Sequence, residues 1–256
     1  MKKYIFYLLT GCMLFLYSFA SFAEINYKPT EFTTIEADIS IPTNGDFYKT
    51  NYQIGSAVQD WLKSNYTFSK NNFYYLVKSN NNYVGFAFDQ QSYLNMREED
   101  DFLKEWIPQN LPNIVVKDAD ATTTMRNIYD YILNISDYEV NLPASCYTLT
   151  ALTTGKISCM GYSNTFEALV EAIPFNSEWK VDWDLYLKPE AYHLNIYTIW
   201  DEEHTWNAVE LDGIRYYFDL TWADRLQDAD AFFMVSAEEF YKPFENGAYN
   251  HTPVDL

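Results

Sequence analysis

Apolar residues recur at helical spacing in the segment that follows Ser158. They lie three to four positions apart, at Tyr162, Phe166, Leu169, Val170 and Ile173. This periodicity predicts an amphipathic helix, and Ser158 is a suitable N-cap for it. Cys159 would then lie in the first turn. There the unpaired backbone N–H groups and the positive end of the helix dipole favour a thiolate.

Two β-rich segments joined by the Asp-Gly pair at 212–213 come later in the chain. Asp-Gly favours a two-residue hairpin, because both central residues of a type I′ turn need positive φ. Counting back from the turn sets Glu210 opposite Arg215, and a pair of opposite charges is mildly stabilising there. The same register predicts His204 and Asp219 on one face of the hairpin, as diagonal neighbours with Cβ atoms about 7 Å apart.

In this register Trp206 faces Asp219 and His204 faces Thr221. A thiol, an imidazole and a carboxylate are the groups that thiol acyl transfer requires. His204 would lower the pKa of Cys159 and return the proton to a leaving amine, and Asp219 would orient the ring. Taken alone, a helical cysteine is more often a small buried hydrophobe, and the conjunction of the three residues favours the catalytic interpretation.

The N-terminal half has weaker patterns. A helix is predicted at 56–64, with strands at 73–77 and 83–88 around a polar loop at 78–82. Another short helix is predicted at 100–107, ended by Pro108. With no catalytic constellation visible, residues 24–117 are interpreted as an accessory α/β lobe, for which a sugar- or protein-binding role of its tyrosines is the alternative.

The C-terminal half has the remaining elements. A helix is predicted from Ala121 to Leu133, and a short helix at 147–152. A strand at 232–236 and a helical turn at 237–241 follow Trp222. The buried stripe of the first helix is predicted to be Met125, Ile128, Tyr129 and Ile132.

The first 23 residues have the charged, apolar and small-residue regions of a secretory signal peptide, with cleavage after Ala23. The exported protein would be periplasmic or secreted. Leu9-Thr10-Gly11-Cys12 offers a lipoprotein alternative, and an uncleaved anchor is another. No other segment is long and apolar enough to span a bilayer, so no integral membrane segment is expected after cleavage.

The composition limits the classes of partner that the chain is expected to bind. The formal net charge is −19 over 256 residues, and it becomes −21 once Lys2 and Lys3 leave with the signal. Such a chain repels nucleic acid and anionic membrane. The acidic runs at 98–101 and 201–203 are expected to be solvated, and no EF-hand loop is present. The aromatic fraction of 19% mostly predicts core residues.

Cysteine usage leaves one alternative open. After signal removal the chain keeps Cys146 and Cys159. Two cysteines in an exported protein can form a disulfide, which would mask the nucleophile. Metal binding is not expected, since only three histidines exist and none falls in a Cys/His cluster with ligand spacing. No cofactor is expected, and no oligomeric state is predicted.

Three segments resemble motifs of the transglutaminase-like superfamily. They are Gly155-Lys-Ile-Ser-Cys159-Met-Gly-Tyr162, His204-Thr-Trp-Asn-Ala-Val209 and Asp219-Leu-Thr-Trp222. The resemblance covers roughly residues 118–240. Because relatives have a similar helix before the cysteine segment, the resemblance implies a catalytic domain that begins near Asp118, and we place it at residues 118–256. It implies an α+β, papain-like core, in which a helix carrying the cysteine packs on an antiparallel sheet carrying the histidine and aspartate.

The resemblance also implies roles. Cys159 matches the family's nucleophile, His204 its general base and Asp219 its orienting carboxylate. The backbone N–H of Cys159 is the expected first oxyanion donor, and Trp206 and Trp222 are candidates for supporting the site. Many relatives have a polar residue where this chain has Met160, which leaves the second donor unassigned, and the aromatic-rich insert at 176–203 is longer than expected.

The function expected from the residues and the resemblance is thiol-dependent acyl transfer on peptide or side-chain amides of a protein or peptide substrate. Transfer of the acyl group to water makes a cysteine peptidase or amidase, which we favour slightly, and transfer to an amine makes a cross-linking transglutaminase. The contrasting class is a non-enzymatic binding module that kept the fold, with Cys159 buried or disulfide-bonded.

Overall fold

The computed structural model describes residues 5–9, 32–42, 57–68 without 59 and 63, 74–79, 82–140, 144–201, 204–242 and 251. The chain divides into two compact units, residues 1–100 and 101–256, and its helices and sheets give an α+β protein. Asp118, the predicted start of the catalytic domain, lies within the second unit. Cys12 and Ala23 lie outside the described residues, so the signal peptide stays a prediction.

The first unit contains a four-stranded antiparallel sheet of order β1-β3-β4-β2. Its strands are β1 (Ile5–Leu9), β2 (Phe32–Pro42), β3 (Tyr74–Ser79) and β4 (Asn82–Asp89). The predicted hairpin is confirmed as β3–β4, with a shorter turn than expected. Residues 57, 58, 60–62, 64 and 65 are helical, and Val58 and Leu62 pack with Phe86 and Phe88.

Helix α1 is much longer than predicted. It runs from Gln90 to Ile114 and continues through Pro108 and Pro112, so the predicted stop at Pro108 is wrong. A proline inside a helix costs about 3 kcal/mol. The helix has four fully buried apolar side chains, at Met96, Leu103, Ile107 and Leu111. Each contributes about 1.5–3 kcal/mol on burial, which offsets the proline cost.

The acidic run at 98–101 is only partly solvated. Glu99 and Asp100 are buried, and Asp100 Oδ1 accepts a hydrogen bond from the backbone N–H of Phe68 at 2.6 Å. The expectation of a solvated face is therefore wrong for these two carboxylates. A backbone N–H is a suitable partner for a buried carboxylate, and sequence patterning cannot reveal such a partner thirty positions away.

The second unit contains the predicted catalytic segments. Its helices are α2 (Ala121–Ile135), α3 (Thr148–Thr154), α4 (Cys159–Glu171), α5 (Leu220–Leu226) and α6 (Ala237–Phe240). Its strands are β5 (Asp137–Tyr138), β6 (Lys156–Ile157), β7 (Asn195–Trp200), β8 (Thr205–Leu211) and β9 (Ile214–Phe218). Strands β7-β8-β9 form an antiparallel sheet, and β5 pairs with β6 in parallel.

Helix α2 agrees with its prediction. Asp120 caps its N-terminus by accepting from the backbone N–H of Thr123 at 2.8 Å. All four residues of the predicted stripe are buried. One of them, Tyr129, packs edge-on against Phe166 of α4 with ring centroids 6.0 Å apart. The helix predicted at 147–152 is confirmed as α3, and the turn at 237–241 as α6.

The β8–β9 hairpin has the predicted register near its turn. Asp212 and Gly213 have φ values of 53° and 74°, as a type I′ turn requires. Glu210 pairs with Arg215, whose Nη2 donates to the glutamate at 2.8 Å. The ladder ends at Phe218, so the predicted pairing of Trp206 with Asp219 does not form and the chain turns into α5 instead.

The strand predicted at 232–236 is not formed. Within it only Val235 pairs, in an isolated bridge with Tyr217. Met234 has φ 57°, a left-handed conformation that an extended strand cannot contain. Phe232 and Phe233 instead pack into separate aromatic groups, around Phe240 and Tyr129 respectively.

Helix α4 is buried along nearly its whole length. Every residue from Cys159 to Val170 is buried, so the expected amphipathic helix is in fact the central helix of its unit. Two of its polar side chains donate to backbone carbonyls, the kind of partner that buried polar groups require. Asn164 Nδ2 donates to the carbonyl of Cys146 at 3.0 Å, and Thr165 Oγ1 donates to the carbonyl of Gly161 at 2.6 Å.

Two glycines bring the backbone close around the cysteine segment. Gly155 ends α3 with φ 68°, and a Cβ there would lie 2.1 Å from the carbonyl oxygen of Ile135. In α4, a Cβ on Gly161 would lie 2.1 Å from the carbonyl oxygen of Ser145 and 2.7 Å from Cβ of Ile157. Only glycine fits at either position without a shift of the backbone.

We therefore expect Gly161→Ala to destabilise the second unit. The added methyl group overlaps backbone that cannot move aside, and the free energy of unfolding should fall by about 3 kcal/mol. Urea denaturation measures this change. Gly213→Ala is the control, because its methyl group would meet nothing within 4 Å and only the positive φ costs about 1 kcal/mol. Equal losses for the two variants would contradict the packing argument.

Candidate active site

Cys159 is the first residue of α4. Ser158 precedes it as the N-cap, with φ −86° and ψ 178°. The Ser158 side chain makes no capping hydrogen bond to the helix; its hydroxyl donates to the carbonyl of Ser145 at 3.4 Å. The thiol therefore lies at the positive end of the helix dipole, which favours its ionised form.

His204 comes just before β8, and its backbone is held by Asp201. The N–H of His204 donates to Asp201 Oδ1 at 2.9 Å, and the N–H of Asp201 donates to the carbonyl of His204 at 3.0 Å. The His204 ring stacks on Trp206, with centroids 6.0 Å apart and planes 30° apart. These contacts fix the backbone from which the imidazole extends and place Trp206 against one face of the ring.

Asp219 links the hairpin to the next helix. It is fully buried and is the N-cap of α5, where Oδ1 accepts from the backbone N–H of Trp222 at 3.0 Å. Its other oxygen, Oδ2, lies 2.7 Å from Nε2 of His204. An ionised carboxylate can only accept, so Nε2 of His204 donates and Nδ1 is the ring nitrogen left for the thiol.

The three groups shift one another's pKa values. Burial alone would raise the pKa of Cys159, but the hydrogen bond and charge of His204, with contacts to Thr205, hold it below its usual range. Burial would lower the pKa of His204, and Asp219 and the thiol together raise it to about 10. Burial would raise the pKa of Asp219, and the charges and hydrogen bonds of His204 and His251 hold it well below its usual range.

These shifts favour one charge state. A lowered thiol pKa and a raised imidazole pKa together describe a thiolate facing an imidazolium, with a carboxylate behind the ring. An activated cysteine nucleophile needs this charge distribution. The structure therefore brings Cys159, His204 and Asp219 together, and their catalytic roles stay a prediction.

Asn207 connects the sheet to α4. Its Nδ2 donates to the carbonyl of Ser163 on α4 and to Oγ1 of Thr198 on β7, both at 3.1 Å. The Thr198 hydroxyl donates in turn to the buried carboxylate of Glu167 on α4. A motif residue of β8 thus holds the cysteine helix against two strands of the sheet.

The two tryptophans predicted to support the site have different contacts. Trp206 is fully buried beside the His204 ring. The backbone N–H of Trp222 donates a hydrogen bond to Asp219. The guanidinium of Arg225 lies over the Trp222 ring, 4.9 Å from its centroid. An oxyanion role for either residue, or for the backbone N–H of Cys159, stays a prediction.

The disulfide alternative is not realised among the described residues. Neither Cys146 nor Cys159 forms a disulfide, and both are buried. The carbonyl of Cys146 accepts from Asn164, so the segment bearing this second thiol is bound to α4 through its backbone. The thiol of Cys159 is left for the imidazole.

His251 is the residue of the site that the sequence did not predict. Its Nε2 lies 2.7 Å from Asp219 Oδ2, the same oxygen that His204 contacts, and the residue is buried. It follows the last predicted element and belongs to no motif. Its aromatic neighbours, Trp206, Phe232 and Phe240, come from three separate parts of the chain, so only the folded unit identifies it.

His204, Asp219 and His251 are also the described residues that could hold a metal ion. Their ligand atoms all lie within 4.8 Å of one another, a grouping in space that the spacing of the histidines along the sequence did not indicate. A tetrahedral zinc ion with bonds of 2.0–2.2 Å needs ligand atoms about 3.3 Å apart. The two nitrogen-to-oxygen distances of 2.7 Å fit hydrogen bonds, and a metal would have to spread the group.

Comparisons with known proteins add little. The sequence matches no protein-family model and no curated protein. A solved structure described as the crystal structure of a TGase aligns with 78% of this chain at 13% identity and a TM-score of 0.31. The alignment covers 53% of that structure's chain, so this chain spans about half of it. The likeness is weak, and the transglutaminase-like resemblance is carried by the three sequence motifs.

No helix in the described part of the chain combines the length and the apolar character needed to cross a bilayer.

Proposed function

We propose that the protein is a thiol-dependent acyl-transfer enzyme that acts on peptide or side-chain amide bonds. The strongest support is the position of the His204 ring. It hydrogen-bonds to the thiol of Cys159, and its Nε2 lies 2.7 Å from Oδ2 of Asp219. A purely structural role for Cys159 or His204 would not require the imidazole to contact both the thiol and the carboxylate. The lowered thiol pKa gives the same conclusion an electrostatic basis.

The proposed reaction has two halves. The Cys159 thiolate attacks the amide carbonyl carbon, a C–S bond forms, and the electron pair of the C=O bond moves to oxygen. When the tetrahedral intermediate collapses, the C–N bond breaks and His204 gives its proton from Nδ1 to the departing amine. A thioester on Cys159 and a neutral imidazole remain.

The second half decides the class of enzyme. If water attacks the thioester, His204 takes a proton from it, and the products are a carboxylic acid and the regenerated thiolate. If a primary amine attacks instead, the product is a new amide and the enzyme is a cross-linker. We favour hydrolysis slightly, because water is always available in the compartment to which the signal peptide would direct the chain.

Alkylation of Cys159 tests the first requirement of this proposal. We expect iodoacetamide to label Cys159 well below the free-thiol pKa of about 8.5, because His204 stabilises the thiolate. In His204→Ala, burial is left to raise the thiol pKa, and labelling at pH 7 should slow by at least about tenfold. Mass spectrometry of the labelled peptides gives both rates, and buried Cys146 reports any unfolding in the same sample.

A catalytic assay tests the second requirement. The protein is incubated with a library of peptide amides and quenched in acid, and Cys159 peptides are searched for the added mass of a thioester. Added methylamine diverts the acyl group to a new amide only if the enzyme accepts amines. Labelling that needs a pH above about 8.5 and is unaffected by His204→Ala would support the binding-module alternative and contradict the enzyme proposal.

The cellular location belongs to the same proposal. We propose export through a signal peptide over residues 1–23, with the accessory region at 24–117 and the catalytic domain at 118–256. N-terminal sequencing of the protein recovered from its own cells tests the cleavage after Ala23. A lipid-modified N-terminus at Cys12 would favour the lipoprotein alternative.

A further inference from the structure

His251 gives Asp219 a second imidazole partner. Its Nε2 is 2.7 Å from Asp219 Oδ2, and its side chain is completely buried. Nε2 of His204 lies at the same distance from the same oxygen. Since the pKa of Asp219 is held low, the carboxylate is ionised, so both Nε2–H groups donate to one oxygen.

The carboxylate is therefore held on both of its oxygens. Oδ1 accepts from the backbone N–H of Trp222 at the start of α5, and Oδ2 accepts from His204 and His251. A carboxylate has about four lone-pair positions, and these three donors come from three separate segments. Rotation of the carboxylate about its Cβ–Cγ bond would weaken all three hydrogen bonds together.

Aromatic side chains fix the ring of His251. It stacks on Phe240, with centroids 3.9 Å apart and planes 29° apart, and it meets Trp206 edge-on at 5.1 Å. Trp206 also stacks on His204, so one indole contacts both imidazoles. In such apolar surroundings a polar N–H is costly unless it is hydrogen-bonded, which keeps His251 directed at the carboxylate.

We propose that His251 is a positioning residue of the candidate active site, whose Nε2–H fixes the Asp219 carboxylate and through it the orientation of His204 toward Cys159. This inference rests on the proposed function, because it assumes that the His204–Cys159 pair carries the chemistry. It adds a fourth member, supplied by the C-terminal segment, to the three residues predicted from the sequence.

A purely structural His251 would act differently. It would contribute to the free energy of unfolding through burial and aromatic packing, and any variant of similar volume would leave the thiol unchanged in a folded molecule. A positioning His251 also controls the ionisation of Cys159. The pH dependence of alkylation separates the two, because it responds to the imidazole and not to global stability.

The other titratable groups near His204 and Asp219 are the same in the wild type and in the His251 variants. Asp201 accepts from the backbone N–H of His204, and the hydroxyl of Tyr129 donates to the carbonyl of Asp219 at 3.4 Å. Burial raises the pKa of Tyr129, so this phenol stays neutral over the range in which the thiol titrates. Changes in the profile can then be assigned to the altered residue.

Three variants of His251 and one control test the proposal. His251→Gln keeps an N–H donor at a similar reach, His251→Leu keeps volume without a donor, and His251→Asn has a donor on a shorter side chain. His193→Leu is the control, since His193 is exposed and its Nδ1 contacts the carbonyl of Glu171. Iodoacetamide labelling of Cys159 is measured from pH 5.5 to 9.5, with Cys146 as the internal reporter of unfolding.

We expect His251→Leu to slow labelling of Cys159 at pH 6.5 by about tenfold, as a misplaced ring would, and to move the profile toward the free-thiol pKa. His251→Gln and His193→Leu should stay within about threefold of the wild type. If Cys146 becomes labelled in His251→Leu, the comparison of His251→Gln with His251→Asn replaces it, and Asn should be the slower of the two.

Two results would overturn the positioning role. One is a labelling profile of folded His251→Leu that matches the wild type. The other is an equal loss of labelling rate in His251→Gln and His251→Leu, or in His251→Gln and His251→Asn where His251→Leu unfolds. Failure of the proposed function gives a different signature, since the wild type itself would then label only above about pH 8.5 and His204→Ala would change nothing.

Discussion

Asp219→Ala should destabilise the second unit more than the other substitutions proposed for it. The carboxylate is fully buried and accepts from His204, His251 and the backbone N–H of Trp222. Removing it leaves two imidazoles in an apolar site without their acceptor. Breaking a buried ion pair in this way costs about 3–5 kcal/mol, which urea denaturation would detect.

A second aspartate gives the matched control for this loss. Asp120 is also the N-cap of a helix and accepts from the backbone N–H of Thr123, but it lies at the surface. Asp120→Ala should therefore cost the cap, about 1 kcal/mol, and at most about 1 kcal/mol more for its exposed ion pair with Lys180. The excess loss in Asp219→Ala measures the two histidine contacts, and equal losses in the two variants would contradict them.

Asp219→Asn keeps the shape and tests the chemistry if the alanine variant does not fold. An amide has one acceptor oxygen, and its NH2 group cannot accept from the Trp222 N–H or from a histidine. Either the helix cap or the pair of imidazole contacts is lost. We expect acyl transfer from Cys159 to fall by about 10²- to 10⁴-fold, with labelling of Cys159 shifted to higher pH. An unchanged rate would remove Asp219 from the mechanism.

The hairpin and the cysteine helix were predictable because their determinants are local. An Asp-Gly pair specifies a turn with positive φ at both residues, and Glu210 opposite Arg215 fixes the register. The apolar spacing in α4 and the serine before Cys159 define where that helix begins. Once the register is known, the alternation of side chains puts His204 and Asp219 on one face without any knowledge of the rest of the fold.

The geometry of Asp219 was only partly predictable. The sequence suggested a strand residue diagonal to His204, with the β segment continuing to Trp222. The strand ends at Phe218 and Asp219 caps α5, which turns the side chain so that it contacts Nε2 directly. An aspartate can act as strand residue or helix cap, and the local sequence pattern does not decide between the two.

Features that depend on distant contacts were missed. His251 is identified only through Asp219 and an aromatic group assembled from three segments. Glu99 and Asp100 belong to an acidic run that favours solvent, yet both are buried. Pro108 is a helix-ending signal that the burial of side chains along α1 overrides. In each case tertiary packing outweighs a local preference of about 1–3 kcal/mol.

The stability that Cys159 contributes should depend on pH in a defined direction. Its folded-state pKa lies below the unfolded value, which is about 8.5 for a free thiol. Above that pH both states are ionised, and the full contribution of the thiolate is present. As the pH falls, the unfolded chain binds a proton that the folded site does not. The contribution is therefore lost by about 1.4 kcal/mol per pH unit until the folded thiol is protonated.

The free energy of unfolding of the wild type minus that of Cys159→Ala shows this contribution wherever the other groups titrate alike in both proteins. For His204, whose pKa Asp219 and the thiol together raise, this holds over the pH range in which Asp219 alone keeps the ring protonated. Measured by urea denaturation under reductant, the difference should rise by about 1.4 kcal/mol per unit toward pH 8.5 and then level off.

Cys146→Ala is the control. A buried thiol that stays protonated in the folded state gives a level difference below about pH 8.5, since neither state then changes its proton count. A level difference for Cys159 as well would mean that folding releases no net proton from the Cys159–His204 pair, and the predicted pH dependence would be wrong.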